Sequence, residues 1–402
     1  MKNMMKTLLL GAFAMTTLGF VACSDDDMGP SIFDTREYPL DRNAYSFPLD
    51  TFLKVTYLEP YNLQFIYRME DIGSDMTKNL TPASYEKSVE LAVLLKYLWL
   101  NVYEQYAGQE FLKINAPRII HVIGSKNLNP SQGTETLGEA GGGLKISLFN
   151  TNNLDVANVD VLNEYFIKTI HHEFGHILDQ THIRPTSFNL ISRNQYDAST
   201  WTETPDSIAA GRGFVSPYAS SAAGEDWVEL LANYITRDTL SWAQLLQSAS
   251  YEWEEIDMEQ ADYRKRARGA DLDTVGYYRE SASGQGKVYR RVCARYADDY
   301  VQLDENGEVQ WLHKTGIEGD KIILQKLDLV RNWLKDNWNI NLDDLRREVQ
   351  QRMYVTNDDG SFVFDRMGRV VNRLSSPTPE DPSITLIEKL VNEVYAYKSL
   401  QP

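Results

Sequence analysis

Five consecutive residues, His172-Glu173-Phe174-Gly175-His176, form an H-E-x-x-H pattern whose residue types and spacing suit metal-dependent hydrolysis. Residues four apart lie on the same face of a helix, so the imidazoles of His172 and His176 can bind one ion. Zinc accepts imidazole nitrogen, and a catalytic zinc site keeps one position open for water. Glu173 can act as a general base toward that water. The pattern predicts one zinc ion per chain and hydrolysis of amide bonds.

The pattern lies in a stretch from Val159 to Asp179 whose apolar residues recur at three- and four-residue steps. This period predicts a partly buried helix, with Asp155 or Asn158 as its cap. The sequence that follows, QTHIRPTS, contains a proline and no continued period. We therefore expect the helix to end near Asp179.

Two places in the sequence offer a third metal ligand. His182 lies ten residues after His172, which is the spacing of H-E-x-x-H-x-x-G-x-x-H sites, although Asp179 stands where those sites have glycine. Glu225 lies in a second amphipathic segment, GEDWVELLANYITR, and would complete a site of two histidines and one glutamate. Glu229 shares a helix face with Glu225 and could orient a metal-bound histidine. Both glutamates could instead be solvated charges of a surface helix.

The pattern with its flank, HEFGHILD, resembles the active-site helix of lethal-factor-type peptidases, which are gluzincin-like zinc enzymes. The segment SPYASSAAGEDWVE resembles the downstream segment of that group, where a tyrosine precedes the ligand glutamate by seven residues. Tyr218 and Glu225 keep this spacing. The resemblance implies that Glu173 is the base and that the Tyr218 hydroxyl stabilises the oxyanion. It favours Glu225 over His182, and the implied zinc ligands are His172, His176 and Glu225.

The whole chain resembles the zinc metallopeptidase lipoproteins of Bacteroidetes, described as substrate-import-associated zinc metallohydrolases. The features that carry this resemblance are a lipoprotein signal, an acidic start, the mid-chain HEFGHIL sequence and a long C-terminal part. Members of that family accompany outer-membrane TonB-dependent transporters and surface binding lipoproteins. The resemblance therefore implies a role in nutrient import, with a peptide or protein as substrate.

The N-terminus predicts an exported lipoprotein. Lys2 and Lys6 flank the start of the apolar run TLLLGAFAMTTLGFVA, and Cys23 follows, as in a signal peptide of residues 1–22 cleaved before a lipidated cysteine. The apolar run is shorter than the roughly 20 residues needed to span a bilayer. The acidic sequence SDDD resembles the signal that sends lipoproteins of this phylum to the cell surface. We expect an outer-membrane lipoprotein exposed at the surface and held by its lipid anchor.

Composition limits the partners. The formal net charge is −17, and it becomes −19 once the two positive charges of Lys2 and Lys6 leave with the signal peptide. Such acidity repels nucleic acid, which we therefore exclude as a partner. If Cys23 carries lipid, Cys293 is the only remaining cysteine, and no intramolecular disulfide can form. We assign Cys293 no catalytic role.

The predicted fold is α+β, with a zincin-like core of a small mixed sheet and the active-site helix, followed by a largely α-helical C-terminal part. Residues 84–107 predict a helix, and PRIIHVIG and GLKISLFN predict strands separated by a turn at GEAGGG. KISLFN is the candidate for the edge strand beside the cleft. SWAQLLQSASYEWEEIDMEQADYRKRARG is one of the charged segments predicted to be helical.

The predicted organisation has three parts after the signal peptide. We expect a tether at 23–50, a catalytic domain at 51–245 and a helical region at 246–402 that could belong to the same domain. The long polar segment between the two metal-binding helices is expected to form one wall of the cleft.

The sequence favours a zinc-dependent peptidase that cleaves peptide bonds as an endopeptidase, and leaves two alternatives. One is a metallohydrolase acting on another amide or on a glycoconjugate. The other is an accessory lipoprotein of a TonB-dependent uptake system that does not hydrolyse peptides. Glu173 argues against the accessory role, because a structural zinc site needs no base and normally has four protein ligands.

Overall fold

The computed structural model describes residues 40–69, 80–129, 134–141, 143–256, 277–279, 288–297 and 301–401, and the fold is given for these residues. The predicted signal peptide, the lipidated Cys23 and the acidic sequence after it lie outside the described residues. Within the ranges above, no helix combines the length and the apolar character needed to cross a membrane.

The α-helices are numbered along the described chain. They are α1 Phe47–Leu53, α2 Glu59–Tyr61, α3 Tyr85–Leu95, α4 Asn101–Ala107, α5 Gln109–Asn115, α6 Val159–Leu162, α7 Lys168–Thr181, α8 Thr186–Ile191, α9 Asp206–Gly211, α10 Ala223–Thr236, α11 Thr239–Ala249, α12 Gly319–Trp338, α13 Leu342–Met353 and α14 Leu386–Tyr395. The π-helical segments Lys54–Leu58, Lys96–Leu100 and Asn163–Ile167 follow α1, α3 and α6 directly. Short 3₁₀ turns lie at Thr151–Asn153, Trp201–Glu203, Tyr218–Ser221 and Ala396–Leu400.

The strands form small sheets. They are β1 Gln64–Ile66, β2 Ile119–Val122, β3 Asn127–Asn129, β4 Thr134–Thr136, β5 Gly138–Gly141, β6 Lys145–Leu148, β7 Trp253–Ile256, β8 Tyr277–Arg279 and β9 Val288–Arg291. The first sheet has the order β1-β2-β6-β5, β3 pairs with β4, and the third sheet has the order β7-β9-β8.

The first sheet is mixed, and its antiparallel strand lies at the edge. β1, β2 and β6 are parallel, whereas β5 runs antiparallel to β6. The expectation that KISLFN forms the edge is therefore wrong, because β6 within it pairs on both sides. The edge strand β5 lies within the glycine-rich sequence that was expected to be only a turn. It has no alternation of apolar and polar residues, so nothing in the sequence marked it as a strand.

The H-E-x-x-H pattern lies in α7, at the end of one helical run from Val159 to Thr181. Asn158 caps the start of this run by accepting a hydrogen bond from the Val161 backbone. Phe174 is fully buried, and its ring packs edge-on against Trp99 and Tyr103 with centroids 5.3 and 5.0 Å away. Residues two positions apart on a helix point about 200° apart. The two histidines of the pattern therefore face away from this core contact.

The region after α11 is less helical than expected. The predicted helix from Ser241 ends at Ala249, and Trp253–Ile256 is strand β7, which pairs antiparallel with β9. The prediction of a helix is wrong for this part of the segment, and its residues from 257 to 269 lie outside the described residues. β9 has the sequence VYRR, rich in strand-favouring side chains, and lies more than thirty residues further along the chain. Pairing with a strand so distant in the sequence cannot be predicted from a local charge pattern.

One cluster of buried apolar side chains links the regions before and after position 245. It contains Ile120 and Ile146 of the mixed sheet together with Leu327 and Trp333 of α12. The division into domains at 51–245 and 246–402 stays a prediction, and the shared cluster favours the view that both belong to one domain.

A buried ion pair joins α12 to α10. Lys326 and Asp226 are each only 1% exposed, and Nζ of the lysine lies 2.7 Å from Oδ2 of the aspartate. The same Nζ donates to the Gly213 carbonyl at 2.8 Å and lies 4.2 Å from the centre of the Phe214 ring. Tyr196 donates to the same Asp226 oxygen at 2.8 Å. One ammonium group therefore holds α10 and the segment before it against α12.

Replacing Lys326 with methionine should destabilise the protein by about 3–5 kcal/mol, because it leaves the Asp226 carboxylate buried without its counterion. Urea unfolding followed by circular dichroism measures this change. Lys335→Met is the matched control, since Lys335 is an exposed residue of the same helix and should change the free energy of unfolding by less than about 0.5 kcal/mol. Equal stability of the two variants would show that the buried pair contributes nothing.

Candidate metal centre

The two helices that carry the predicted ligands, α7 and α10, pack closely at Gly175. A Cβ atom at this position would lie 3.0 Å from Val228 Cγ1 and 3.3 Å from Leu231 Cδ2. Such separations are tighter than ordinary contacts between side chains. The glycine inside the H-E-x-x-H pattern therefore lets α10 approach the face of α7 that carries the histidines.

This approach brings three ligand atoms together. Glu225 Oε2 lies 3.3 Å from Nε2 of His172 and 3.3 Å from Nε2 of His176. Among the described residues, these three form the group of histidine, cysteine and acidic side chains that could hold a metal ion, with all ligand atoms within 4.8 Å of one another. His172 is buried, whereas the other two are partly exposed. The cluster is therefore open on one side.

The donor set fits zinc. Two ligands at about 2.0–2.1 Å from a tetrahedral zinc lie about 3.3–3.4 Å apart, which matches the separations between the Glu225 carboxylate and the two imidazoles. Three protein ligands of this kind leave the fourth position of the tetrahedron for water. The residues present therefore suit a catalytic zinc ion.

Glu229 lies behind the cluster and orients His172. Its Oε1 is 2.9 Å from His172 Nδ1, and because a carboxylate only accepts, Nδ1 must donate. In the neutral ring, Nε2 is thereby left with the lone pair that can bind a metal. Glu229 is 2% exposed, and its Oε2 accepts from Ser216 at 2.6 Å and from Asn233 at 3.1 Å. Lys168 Nζ lies 3.5 Å from Oε1.

The charges around His172 favour a cation at this place. Burial alone would lower the pKa of His172, but its hydrogen bonds to Glu225 and Glu229 outweigh burial and raise the pKa to about 9. Burial also opposes ionisation of the two glutamates, yet their neighbours hold both pKa values well below the usual range. These neighbours are the two histidines for Glu225, and chiefly Lys168 and His172 for Glu229. Two ionised carboxylates around one imidazole favour a positive charge there, which a metal ion would supply.

His171, next in sequence, has a different environment. It is fully buried and its Nδ1 lies 3.2 Å from the Tyr103 hydroxyl. Burial lowers the pKa of His171 to about 3, so the ring is neutral and belongs to the core.

Glu173 faces the edge strand of the sheet. A Cβ atom at Gly138 would collide with Thr169 and lie 3.1 Å from Glu173 Oε1. Glycine at this position of β5 therefore gives the glutamate its space. Glu173 also lines a cavity of about 450 Å³, together with His172, Tyr218 and Trp201. The cavity adjoins the metal cluster and can take part of a substrate.

Tyr218 lies at the mouth of the same cavity. Its side chain is 37% exposed, and its ring stacks on His172 at a centroid distance of 6.0 Å and an angle of 28°. Trp201 packs edge-on against the same tyrosine ring at a centroid distance of 5.0 Å. Partial burial, followed by the charge and hydrogen bond of Glu225, raises the pKa of Tyr218 above its usual value. The phenol therefore keeps its proton and can donate it in a hydrogen bond.

His182, the alternative ligand, lies outside the three-residue cluster. It follows the last residue of α7, is exposed, and stacks on Trp338 at a centroid distance of 4.9 Å. Its carbonyl accepts a hydrogen bond from the Trp333 indole at 2.8 Å. Asp179, at the position where the alternative spacing has glycine, pairs with Arg184. The structure thus brings Glu225, and not His182, to the two histidines.

Sequence reasoning missed several residues that line the cavity or bond to Glu229 behind the cluster. These are Gly138, Lys168, Trp201 and Ser216. Lys168 lies one helical turn before His172, so its spacing could have indicated a place on the same face. The other three depend on how distant segments fold against α7, which spacing alone does not reveal. Trp201 belongs to the long segment that was expected to form a wall of the cleft.

Comparisons with known proteins agree with this chemistry. A family model described as "Putative zinc-binding metallo-peptidase" matches residues 43–343 of this chain. A solved structure from Bacteroides caccae, of the same description, is similar at 29% identity with a TM-score of 0.52. That similarity covers 80% of this chain and 95% of the other. No curated protein matches.

Zinc binding tests the ligand set. Glu225→Ala removes one of three donors, so the purified protein should no longer retain stoichiometric zinc, whereas His182→Ala should bind zinc as the parent does. Glu229→Ala leaves the donors in place but removes the acceptor for His172 Nδ1, and zinc affinity should fall about 10–100-fold. Mass spectrometry of metal content and competition with a chelating dye measure these changes. If His182→Ala loses the metal and Glu225→Ala keeps it, the assigned ligand set is wrong.

Proposed function

This chain belongs to the family of zinc-binding metallo-peptidases whose model it matches, and from that premise we propose that it hydrolyses peptide bonds at the cluster His172, His176 and Glu225. The observation that carries the proposal is the convergence of these three donors beside Glu173 and an open cavity. We also propose that the mixed sheet and α7 form a zincin-like core of the gluzincin type. The family match and the ligand set of two histidines and a glutamate support this assignment.

Zinc bound by this cluster would supply a Lewis acid for the scissile carbonyl and lower the pKa of a water molecule. We assign the proton transfers to the carboxylate of Glu173. It takes a proton from the attacking water and delivers it to the leaving amine. Its support is its position, since it lines the cavity next to His172 and has space against Gly138.

Tyr218 is proposed to donate a hydrogen bond to the oxyanion that develops as water attacks. The proposal rests on its exposed phenol at the cavity mouth and on its raised pKa, which keeps the donor protonated at neutral pH. A donor fixed where negative charge appears lowers the barrier more than it strengthens substrate binding.

The substrate is proposed to lie along β5 as an extended peptide. Among the described strands, β5 ends the sheet, so its outer backbone groups can pair with an added strand. Main-chain pairing holds any peptide sequence, and the cavity lined by Leu137, Lys168 and Trp201 then receives one side chain. This arrangement suits an endopeptidase, since nothing in it needs a free chain end.

We propose that the enzyme works at the cell surface as an outer-membrane lipoprotein. The basic start, the apolar run and Cys23 support a lipid anchor. The resemblance to import-associated metallohydrolases supports nutrient import with a TonB-dependent transporter and surface binding lipoproteins as partners. In this setting the peptidase would cleave peptides or proteins captured outside the cell.

Two conservative substitutions test the catalytic roles in the zinc-loaded protein. Glu173→Gln should keep zinc and lower kcat by about 10²–10⁴-fold, because it removes the general base. Tyr218→Phe should keep zinc and lower kcat by about 10²–10³-fold with little change in KM, because it removes an oxyanion donor. Cleavage of a mixed peptide library, followed by mass spectrometry and then by kinetics on a cleaved peptide, measures both.

Glu110→Gln is the control, since Glu110 is an exposed glutamate of α5 and its loss should leave kcat unchanged. If the zinc-loaded parent cleaves no peptide, the peptidase proposal fails and a non-peptide hydrolase or an accessory protein takes its place. If Glu173→Gln retains parental activity, the assigned base is wrong.

A further inference from the structure

Ser216 lies where the segment before α10 meets Glu229 and the turn that carries Tyr218. Its hydroxyl oxygen is 2.6 Å from Glu229 Oε2 and 3.1 Å from the backbone nitrogen of Ala219. The amide can only donate, and the carboxylate of Glu229 can only accept. The serine hydroxyl therefore accepts from Ala219 and donates its single proton to Glu229, which fixes its orientation completely.

On one side, this hydroxyl reaches the metal cluster through one residue. Glu229 is 2% exposed, and its other oxygen accepts a hydrogen bond from His172 Nδ1 at 2.9 Å. Hydrogen bonds to an ionised carboxylate in such a buried place are short and strong. Ser216 is thus two hydrogen bonds away from an imidazole that would bind the metal.

The other contacts of Glu229 come from the helices themselves. Asn233 is on α10 with Glu229, and Lys168 is on α7 with His172. Among the described residues that bond to this carboxylate, Ser216 alone belongs to the segment between these helices. Ser216 is therefore the contact that connects the segment between α7 and α10 to the His172–Glu229 pair.

On the other side, the hydroxyl holds the turn that carries Tyr218. Ala219 follows this tyrosine directly. The hydrogen bond from its backbone amide to the Ser216 hydroxyl closes the entry to the 3₁₀ turn Tyr218–Ser221. Before Ser216, the segment is fixed by Phe214, which is fully buried, and by the Gly213 carbonyl that accepts from Lys326. Only Pro217 then separates the serine from the tyrosine.

We propose that Ser216 is a positioning residue that sets the Tyr218 hydroxyl relative to the metal cluster by bonding both to Glu229 and to the turn. The inference deepens the proposed peptidase function and rests on it for the role of Tyr218. Ser216 touches neither the substrate nor the ligand atoms. Its removal loosens the Tyr218 turn and weakens the orientation of His172 at the same time.

Ser220 provides a matched control within the same turn. Ser220 is buried, whereas Ser216 is partly exposed, and the Ser220 hydroxyl donates to the Pro217 carbonyl at 2.6 Å. Among the described residues, its hydroxyl bonds to Pro217 and not to Glu229. Ser220 therefore stabilises only the local backbone, whereas Ser216 also contacts Glu229 of the candidate site.

The experiment compares Ser216→Ala, Ser216→Thr and Ser220→Ala in the full mature chain. Ser216→Ala should weaken zinc binding about 10-fold or more, as the loss of support behind a ligand does. It should also lower kcat by up to about 100-fold with KM nearly unchanged. Ser216→Thr keeps the hydroxyl and should recover most of both properties. Ser220→Ala should leave the zinc dissociation constant as in the parent.

A double substitution separates positioning from general loosening of the fold. If Ser216 acts through Tyr218, adding Ser216→Ala to Tyr218→Phe should lower kcat by much less than it does in the parent. Hydrogen exchange of the zinc-loaded protein, followed by mass spectrometry of residues 214–222, should be faster in Ser216→Ala and parental in Ser216→Thr. Independent, multiplicative effects on kcat, or a zinc dissociation constant as in Ser220→Ala, would overturn the proposal.

The two proposals can fail separately. If the parent cleaves no peptide, the peptidase function fails, while zinc affinity and hydrogen exchange still decide whether Ser216 links the turn to the cluster. If the parent is an active peptidase and Ser216→Ala matches it in zinc affinity, exchange and kcat, the function stands and the positioning role fails.

Discussion

The close packing of α7 against α10 is the constraint on which the candidate site depends. His172 and His176 share one face of α7, but two imidazoles alone do not make a site with three protein ligands. Gly175, between them, lets α10 approach closely enough for Glu225 Oε2 to lie 3.3 Å from both rings. A larger residue would move the helices apart, and the donor separations that suit zinc would be lost. A small side chain that performs no chemistry thus determines whether the chemistry is available.

The protein places several charges where water cannot stabilise them, and neighbouring groups compensate. Glu229 is ionised and buried, and it is supported by His172, Ser216 and Asn233. Asp226, next to the ligand Glu225, is paired with Lys326 from α12. Burying a charge is costly unless it is paired and hydrogen-bonded, so these contacts leave α10 little freedom to move. Helix α12 is therefore part of the support of the metal centre.

Local patterns predicted the elements that carry the ligands, and long-range packing decided the rest. The apolar period around His172 and Glu225 is a property of each helix alone, so the sequence could indicate both α7 and α10. The edge strand β5 could not be anticipated in this way, because Gly138 is required by the close approach of Thr169 and Glu173, which lie on a different element. Strand β7 likewise forms only through pairing with β9, more than thirty residues away. Ser216 matters through the orientation of one hydroxyl, which no spacing encodes.

The central claim is that one zinc ion binds among His172, His176 and Glu225. Anomalous X-ray scattering from crystals of the zinc-loaded protein, recorded on both sides of the zinc absorption edge, tests it directly. The account predicts a single peak about 2.0–2.1 Å from Nε2 of both histidines and within similar reach of the Glu225 carboxylate. A peak coordinated by His182 instead of Glu225, or a metal closed off by a fourth protein ligand, would contradict it.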